Sequence, residues 1–302
     1  MKIALVATGG TIGSRKDTDG IIKLSRAATD QIASIVGADS VFDSLSTHSE
    51  RMKLKDLNTF RRIMQDALAT HPDGIIVTHG TDTLAFSSAY LAYAFCDTRI
   101  PIVICSSDLP LTERDSNGFD ILHSAKVFLQ NRKAGVFAVY KNPGYAPQVH
   151  HGARLLPAHL HEHFYHSLGD WSFNDTGLMH GMDFDLCGGK VLLINPYIGL
   201  DYSVFNIDGY AAIVQSGYHS GTVNYDDFNA FASKYPNIPM FMTAGRRKYD
   251  GPDFVPNIIQ CHGITQTALY IKLLIAIKNT VKDLPSFVLK NACGEIVDPD
   301  KY

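Results

Sequence analysis

The stretch that decides the fold is KIALVATGGTIG, residues 2–13, in which an unbroken apolar run ends in paired glycines. A strand that is apolar throughout, without polar alternation, is typical of a parallel strand buried on both faces. Glycines directly after such a strand allow a sharp turn and a close approach of the backbone to a ligand. The stretch therefore predicts a β-strand and a tight turn, in which a threonine either caps a helix or faces a ligand.

Similar apolar runs recur along the chain and alternate with helical patterns. The alternation predicts a doubly wound α/β sheet, and such sheets bind ligands beyond the carboxyl ends of their strands. The predicted strands are 2–8, 74–78, 101–105, 135–140, 190–195, 211–215 and 239–243. The predicted helices are 56–70, 83–95, 118–130, 226–234 and 265–278.

Composition and charge exclude several classes of protein. Of the 302 residues, 45% are apolar and 19% are charged, and the formal net charge is -3, so neither nucleic acid nor a membrane is predicted as a partner. The first apolar run is too short for a signal peptide, and no run approaches the roughly 18 residues of a membrane span. The five cysteines include no CxxC pair and are predicted to be reduced thiols of a cytoplasmic protein.

One long segment, residues 141–189, breaks the alternation of strands and helices. It holds seven of the 13 histidines, at positions 150, 151, 159, 161, 163, 166 and 180, and no lysine lies between Lys141 and Lys190. The alternation resumes after Asn195. We therefore predict an N-terminal domain at 1–187, a linker at 188–208 and a C-terminal domain at 209–302.

A second strand runs into a glycine-rich turn in GIIVTHGTDTLAFSS, residues 74–88. Here a hydroxyl and a carboxylate stand side by side, as Thr81 and Asp82. Such a pair can receive a proton and hold an ammonium or hydroxyl group of a substrate. The alternative is that Asp82 or Thr83 only caps the following helix.

TGGTIG followed some seventy residues later by VTHGTDTLAFSS closely resembles the L-asparaginase family. The similarity extends over most of the chain, through residues 102–111, 116–125, 211–221 and 263–272. The resemblance implies a two-domain asparaginase-like α/β fold, with a larger N-terminal, mostly parallel doubly wound sheet and a smaller C-terminal α/β domain. It also implies a threonine amidohydrolase that uses no cofactor and no metal.

The resemblance assigns roles to individual residues and implies a homodimer or homotetramer, because a neighbouring subunit completes each site in the family. Thr11 is the expected nucleophile, and Thr81 and Asp82 are the other expected catalytic residues, with Asp82 also binding the α-ammonium group. The expected substrate-binding residues are Ser49, Gly10, Gly80 and Ser107. The carboxylate from the second domain that completes the pocket is left open among Asp250, Asp253 and Glu295.

Two family features are absent from this sequence. The loop at residues 14–25 has no tyrosine, and the lysine expected near residues 154–157 is missing. Arg154 cannot act as a base, because its guanidinium stays protonated. A histidine can, since its ordinary pKa of about 6.5 suits general-base work. The candidate substitute bases are His150, His151 and His159, and the alternative is that they have no catalytic role.

The run His159-Leu-His-Glu-His163 raises a further alternative, a zinc site built from alternating histidines. The spacing lacks the HExxH pattern of helical zinc hydrolases, so a metal-free stretch is preferred.

The leading hypothesis is an amidohydrolase that cleaves an asparagine-like or glutamine-like amide, or a related C–N bond. The competing hypothesis is a catalytically inactive asparaginase-like protein that binds a small ligand.

Overall fold

A computed structural model describes residues 1–45, 47–131, 133–158, 161–169, 173–186, 188, 190–244 and 253–298. Its strands are β1 (Ile3–Ala7), β2 (Ser14–Lys16), β3 (Ile22–Leu24), β4 (Ser40–Phe42), β5 (Gly74–Thr78), β6 (Pro101–Cys105), β7 (Gly135–Tyr140), β8 (Gln148–His151), β9 (Val191–Ile194), β10 (Ala212–Ser216), β11 (Met240–Ala244) and β12 (Ile258–His262). Its α-helices are α1 (Arg26–Val36), α2 (Leu54–Ala69), α3 (Leu84–Ala94), α4 (Gly118–Gln130), α5 (Tyr225–Lys234), α6 (Gln266–Lys278) and α7 (Leu284–Val288).

The first sheet has six strands in the order β4-β1-β5-β6-β7-β8. Its first five strands are parallel, and β8 pairs antiparallel with β7 at the edge. Every residue of β1, β5, β6 and β7 is buried, as the unbroken apolar runs predicted. Helices α2 and α3 cover one face and α1 and α4 the other. The prediction of a mostly parallel, doubly wound N-terminal sheet is confirmed.

The second sheet has four parallel strands in the order β12-β11-β10-β9. Its edge strand β9 lies inside the segment predicted as a linker, so the second sheet starts before residue 209. This strand was predicted at 190–195, and it pairs with β10 through registered residues such as Val191 and Ala212. The smaller C-terminal α/β unit that the sequence predicted is present.

Helix α6 connects the two sheets. It packs against α3 on one side and against β9 and β10 on the other. One hydrophobic cluster therefore includes residues of the first sheet, of α6 and of the inner face of the second sheet, such as Val214 and Phe241. A separate cluster around Phe228 and Met242 covers the outer face of the second sheet. Because α3 is enclosed by the first sheet and α6, almost its whole surface is buried.

A buried ion pair fixes the end of the chain to α6. Lys272 Nζ lies 2.6 Å from Glu295 Oε1, and both side chains are fully buried. Glu295 also accepts hydrogen bonds from the backbone N–H groups of Ala292 and Cys293. Glu295, one of the three carboxylates left open by the sequence, is thus held inside the protomer and does not face a neighbouring pocket. Asp253 is exposed, and Asp250 lies outside the described residues.

No helix in the described part of the chain is long and apolar enough to cross a membrane.

Candidate active site

The two glycine-rich turns lie side by side at the carboxyl edge of the first sheet, because β1 and β5 are neighbouring parallel strands. The Thr8 hydroxyl donates a hydrogen bond of 2.7 Å to the carbonyl of Thr78, which joins the two strand ends. On the other side, the His79 N–H donates to the Cys105 carbonyl at 2.9 Å. The turns therefore leave the sheet at the edge where ligands bind in such folds.

The turns are in direct backbone contact, and only glycine fits at the contact. Gly10 has φ 74°, and a Cβ placed on it would lie 2.3 Å from the backbone nitrogen of Gly80. A Cβ on Gly80 would lie 2.3 Å from the Ser49 Oγ. The next residue after each of these glycines is a threonine. The contact therefore brings Thr11 and Thr81 to the same small region.

Both threonines have free hydroxyl groups. Thr11 begins a short 3₁₀ turn, Thr11–Gly13, and is half-buried, as is Thr81. Within the described residues neither hydroxyl forms a hydrogen bond, and the Thr81 and Asp82 backbone N–H groups also have no acceptor. Two hydroxyls and two amide donors are thus available to a ligand at this edge.

Ser49 orients the Asp82 carboxylate. Its Oγ donates to Asp82 Oδ2 at 3.1 Å, and its backbone carbonyl accepts a hydrogen bond of 3.1 Å from the Thr83 hydroxyl. Ser49 is 2% exposed, whereas Asp82 is exposed. The sequence predicted Ser49 as a substrate-binding residue, and in this structure its hydroxyl contacts Asp82.

Tyr165 was not predicted from the sequence, yet it reaches the second turn. Its hydroxyl donates to the Thr81 carbonyl at 2.6 Å. Its backbone is clamped by Asn142, whose side chain accepts from Tyr165 N–H at 2.8 Å and donates to its carbonyl at 2.9 Å. The ring packs against Tyr140 with centroids 4.5 Å apart. Burial, together with nearby Tyr140 and Asp82, raises the pKa of Tyr165 well above its ordinary value, so the phenol is neutral and donates.

His79 is a buried support of the same turn. Its ring stacks on Phe60 with centroids 5.9 Å apart, and its Nδ1 lies 2.7 Å from the Gly80 carbonyl. Burial lowers the pKa of His79 to about 4, so the imidazole is neutral near pH 7. Since a carbonyl can only accept, Nδ1 carries the proton and donates to Gly80. The buried imidazole therefore stabilises the conformation of the turn.

His150 and His151 do not meet the two turns. They pair with Ala138 and Phe137, two and three residues before the carboxyl end of β7, and β8 lies three strands away from β5. At about 4.8 Å between neighbouring strands, β8 and β5 are roughly 14 Å apart across the sheet. His150 Nδ1 lies 2.7 Å from the Ser167 hydroxyl, and His151 Nε2 lies 3.0 Å from a backbone carbonyl. Burial lowers the pKa of each to about 4.

His150 and His151 are therefore buried in β8, away from the two turns, and this geometry does not support them as substitute bases. His159 lies outside the described residues. Arg154 is also buried near β8, where its Nε donates to the carbonyl of Gly294. Ser107, predicted to bind substrate, is fully buried and donates its hydroxyl to the Leu109 carbonyl at 2.6 Å.

In the part of the chain that the structure describes, one cluster of side chains could hold a metal ion: Cys96, Asp175 and His180. It lies beyond the carboxyl end of α3, whereas the Thr81 turn precedes the amino end. The helix has 11 residues, so about 16 Å of helix separates the two places. Of the predicted histidine run, His161 and His163 are exposed and do not belong to this cluster.

A cavity of about 330 Å³ lies behind the second turn, between α2, α3, β9 and α6. Mostly apolar side chains line it, among them Met52, Phe86 and Tyr270, and Thr83 separates it from Asp82. Thr11, Thr81 and Asp82 do not line this cavity, so it is distinct from the edge where they meet.

Comparisons with known proteins show the family and the fold. The asparaginase N-terminal domain family matches residues 2–159. An L-asparaginase from Thermococcus kodakarensis is 34% identical, over 98% of this chain and 99% of that protein. A glutamyl-tRNA(Gln) amidotransferase subunit from Archaeoglobus fulgidus is 26% identical, over 99% of this chain and 80% of that protein. Among solved structures, the thermostable L-asparaginase from Thermococcus kodakarensis has a TM-score of 0.77 at 25% identity, covering 98% of this chain and 99% of that one.

Proposed function

The chain belongs to the asparaginase family, whose members include hydrolases of amide C–N bonds, and on that premise we propose that it cleaves a small amide through Thr11 as the nucleophile. The substrate is an asparagine-like or glutamine-like amide, or a compound with a related C–N bond. The Thr11 Oγ attacks the amide carbonyl carbon, ammonia or an amine leaves, and water then releases the acid. This chemistry uses no cofactor.

The observation that carries the proposal is the backbone contact between Gly10 and Gly80. It holds the turn that carries Thr11 against the turn that carries Thr81 and Asp82. The free N–H groups of Thr81 and Asp82 are suited to an oxyanion, because backbone donors fixed before the reaction stabilise it most.

We propose Asp82 as the proton acceptor, with the adjacent Thr81 hydroxyl. No lysine occurs between Lys141 and Lys190, His150 and His151 lie elsewhere, and the phenol of Tyr165 is neutral. One oxygen of Asp82 accepts from Ser49, and within the described residues the other has no hydrogen-bond donor. That second oxygen is available to a proton or to a substrate ammonium group.

Tyr165 supports this turn as a positioning residue. Its hydroxyl holds the Thr81 carbonyl, and Asp82 is the next residue along the chain. A buried neutral donor at this place fixes the direction of the turn without taking up a proton. The role is therefore to keep the Thr81 and Asp82 side chains directed toward the ligand.

The test is ammonia release by the purified chain. The substrates are L-asparagine, L-glutamine, D-asparagine, cyclic imides and small acyl amides. We expect release from at least one of them by the wild type and by Thr59→Ala, a matched threonine variant on α2, and none by Thr11→Ala. Release that persists in Thr11→Ala would refute the nucleophile.

The second candidate is a binding protein without turnover, and it is favoured by the lack of lysine between Lys141 and Lys190 and by the place of His150 and His151 away from the turns. In that case L-aspartate or L-asparagine would raise the unfolding temperature of the wild type and of Thr11→Ala alike, with no ammonia released. The two candidates therefore give opposite results with the same pair of proteins.

We further propose that the chain forms a homodimer or homotetramer in the cytoplasm, as the family resemblance implies. Asp250 and Asp253 are the remaining carboxylates that could complete a neighbour's pocket. Of these two, Asp253 lies within the described residues and is exposed. Light scattering at micromolar concentration tests the assembly, and a monomer with full activity would refute it.

A further inference from the structure

Three potential metal ligands from two distant parts of the chain meet beyond the carboxyl end of α3. Cys96 follows the helix, and Asp175 and His180 belong to the loop between β8 and β9. One sulfur, one carboxylate oxygen and one imidazole nitrogen lie within 4.8 Å of one another. Ligand atoms of a tetrahedral zinc ion, with bonds of about 2.0–2.3 Å, lie roughly 3.6 Å apart. Asp175 Oδ2 and His180 Nε2, now 2.7 Å apart, separate by roughly 1 Å when both ligate one ion.

The backbone on the loop side of this cluster is fixed by the end of the chain. Asn174 N–H donates to the Cys293 carbonyl at 3.1 Å, and Thr176 N–H donates to the Ala292 carbonyl at 2.9 Å. Asp175 stands between these two residues. Its Oδ1 accepts from the Gly177 N–H at 2.9 Å, which leaves Oδ2 directed at His180, 2.7 Å from Nε2. The carboxylate is thus positioned before any ion arrives.

The electrostatic surroundings of the cluster favour a cation. The carboxyl end of a helix carries a partial negative charge, and Cys96 lies just past the end of α3. Asp175 adds a carboxylate within the cluster itself. The Cys96 side chain is buried, whereas 53% of the His180 side chain is exposed, so an ion can enter from solvent past the imidazole.

We propose that Cys96, Asp175 and His180 bind one Zn²⁺ ion, with a water molecule as the fourth ligand. A thiolate, an imidazole and a carboxylate are the donors that zinc takes in proteins, and magnesium prefers a set of oxygens. Binding releases the thiol proton to solvent. The imidazole proton moves from Nε2 to Nδ1, so that Nε2 becomes a ligand to the metal.

The proposed ion has a structural effect and lies apart from the amide chemistry. It links the end of α3 to the loop around Asp175, which is itself tied to the carbonyls of Ala292 and Cys293. The Thr81 turn is at the opposite end of α3. Zinc is therefore expected to raise the unfolding temperature, because it binds the folded chain more tightly than the unfolded one.

The experiment is a titration of the full-length, reduced and chelator-stripped protein with Co²⁺ alone and with Zn²⁺ as competitor. We expect one equivalent of Co²⁺ to produce a thiolate-to-cobalt charge-transfer band, which Zn²⁺ abolishes. Zn²⁺ is expected to raise the unfolding temperature, and Mg²⁺ to leave it unchanged. Cys96→Ser removes the band. His180→Gln weakens Co²⁺ binding by more than about 100-fold, since even the loss of an outer partner costs 10- to 100-fold.

The matched control is His123→Gln, an exposed histidine on α4 far from the cluster in sequence, which should bind Co²⁺ as the wild type does. The exposed position of His180 keeps the test usable if Cys96→Ser does not fold. The proposal is overturned if the wild type takes up no equimolar metal, or if the band survives in Cys96→Ser. Equal Co²⁺ affinity in His180→Gln and His123→Gln would overturn it as well.

Discussion

The hydrogen bond from Tyr165 to the Thr81 carbonyl gives the sharpest prediction about the candidate site. Tyr165→Phe keeps the ring and its packing on Tyr140 but removes the one donor, at 2.6 Å, that reaches this carbonyl from the segment after β7. The Thr81 carbonyl keeps a hydrogen bond of 3.2 Å from the Leu84 N–H, so the loss is that of one hydrogen bond, about 0.5–1.5 kcal/mol. For a chain of this size, each kcal/mol lowers the unfolding temperature by roughly 2–4 °C.

The same loss is expected in catalysis, because the Thr81 and Asp82 side chains lose their fixed direction. If the lost hydrogen bond stabilises the transition state by about 1.4 kcal/mol, kcat falls about tenfold while KM changes little. The assay is ammonia release with the best substrate found for the wild type, alongside thermal unfolding. If the chain binds its ligand without turnover, the dissociation constant takes the place of kcat.

Tyr140→Phe is the matched control, since it removes a hydroxyl from the neighbouring buried ring. Within the described residues that hydroxyl forms no hydrogen bond to the Thr81 turn. We expect its kcat to stay near that of the wild type. The reasoning is refuted if Tyr165→Phe and Tyr140→Phe have the same kcat. It is also refuted if Tyr165→Phe lowers the unfolding temperature without lowering kcat.

Three further predictions concern the turn, the ion pair and the histidines. Gly10→Ala should abolish ammonia release and lower the free energy of unfolding by at least about 2 kcal/mol, because its Cβ meets backbone that cannot move aside. Glu295→Gln should cost about 3–5 kcal/mol in urea unfolding, because it leaves Lys272 charged and buried without its partner. The pKa of His150 and of His151 is lowered to about 4 on folding, so the unfolded chain binds more protons below pH 6.5. Stability should therefore fall as the pH drops from about 6.5 to 4, as urea midpoints would show.

Matched variants separate these effects from general damage. Gly144 also has a positive φ, of 79°, but a Cβ there meets nothing within 4 Å, so Gly144→Ala should keep the activity that Gly10→Ala loses. Glu113 forms an exposed ion pair, and Glu113→Gln should cost less than about 1 kcal/mol. A urea midpoint that is constant from pH 7 to 4 would contradict the histidine prediction.

Much of the fold was predictable because its central strands are uniformly apolar. Strands β5, β6 and β7 begin and end where the sequence predicted, and α4 does as well. Helices α1 and α7 and strands β2, β3, β4, β8 and β12 were not predicted. Strand β8 contains Gln148 and two histidines, and β12 contains Gln260 and His262, so neither is an unbroken apolar run. Their place in a sheet depends on a neighbouring strand.

The candidate site was predictable only where residues close in sequence carry it. The glycines of the two turns indicated a close approach of backbone, and the structure has Gly10 against Gly80. Tyr165 was not predicted, because its hydrogen-bond partner Thr81 is 84 residues away in the sequence and no periodic pattern marks Tyr165. His150 and His151 lie away from the turns, because nearness in sequence to the position expected for the lysine does not show how far their strand lies from β5.

The shared hydrophobic cluster around α6 makes the two halves of this protein interdependent. Val214 and Phe241 of the second sheet belong to the same cluster as the first sheet. A gene fragment that ends near residue 188 would encode a first sheet whose α3 has lost its cover, with a broad apolar surface open to aggregation. The two sheets therefore depend on one shared hydrophobic cluster. We expect a calorimetric scan of the intact chain to show a single cooperative transition.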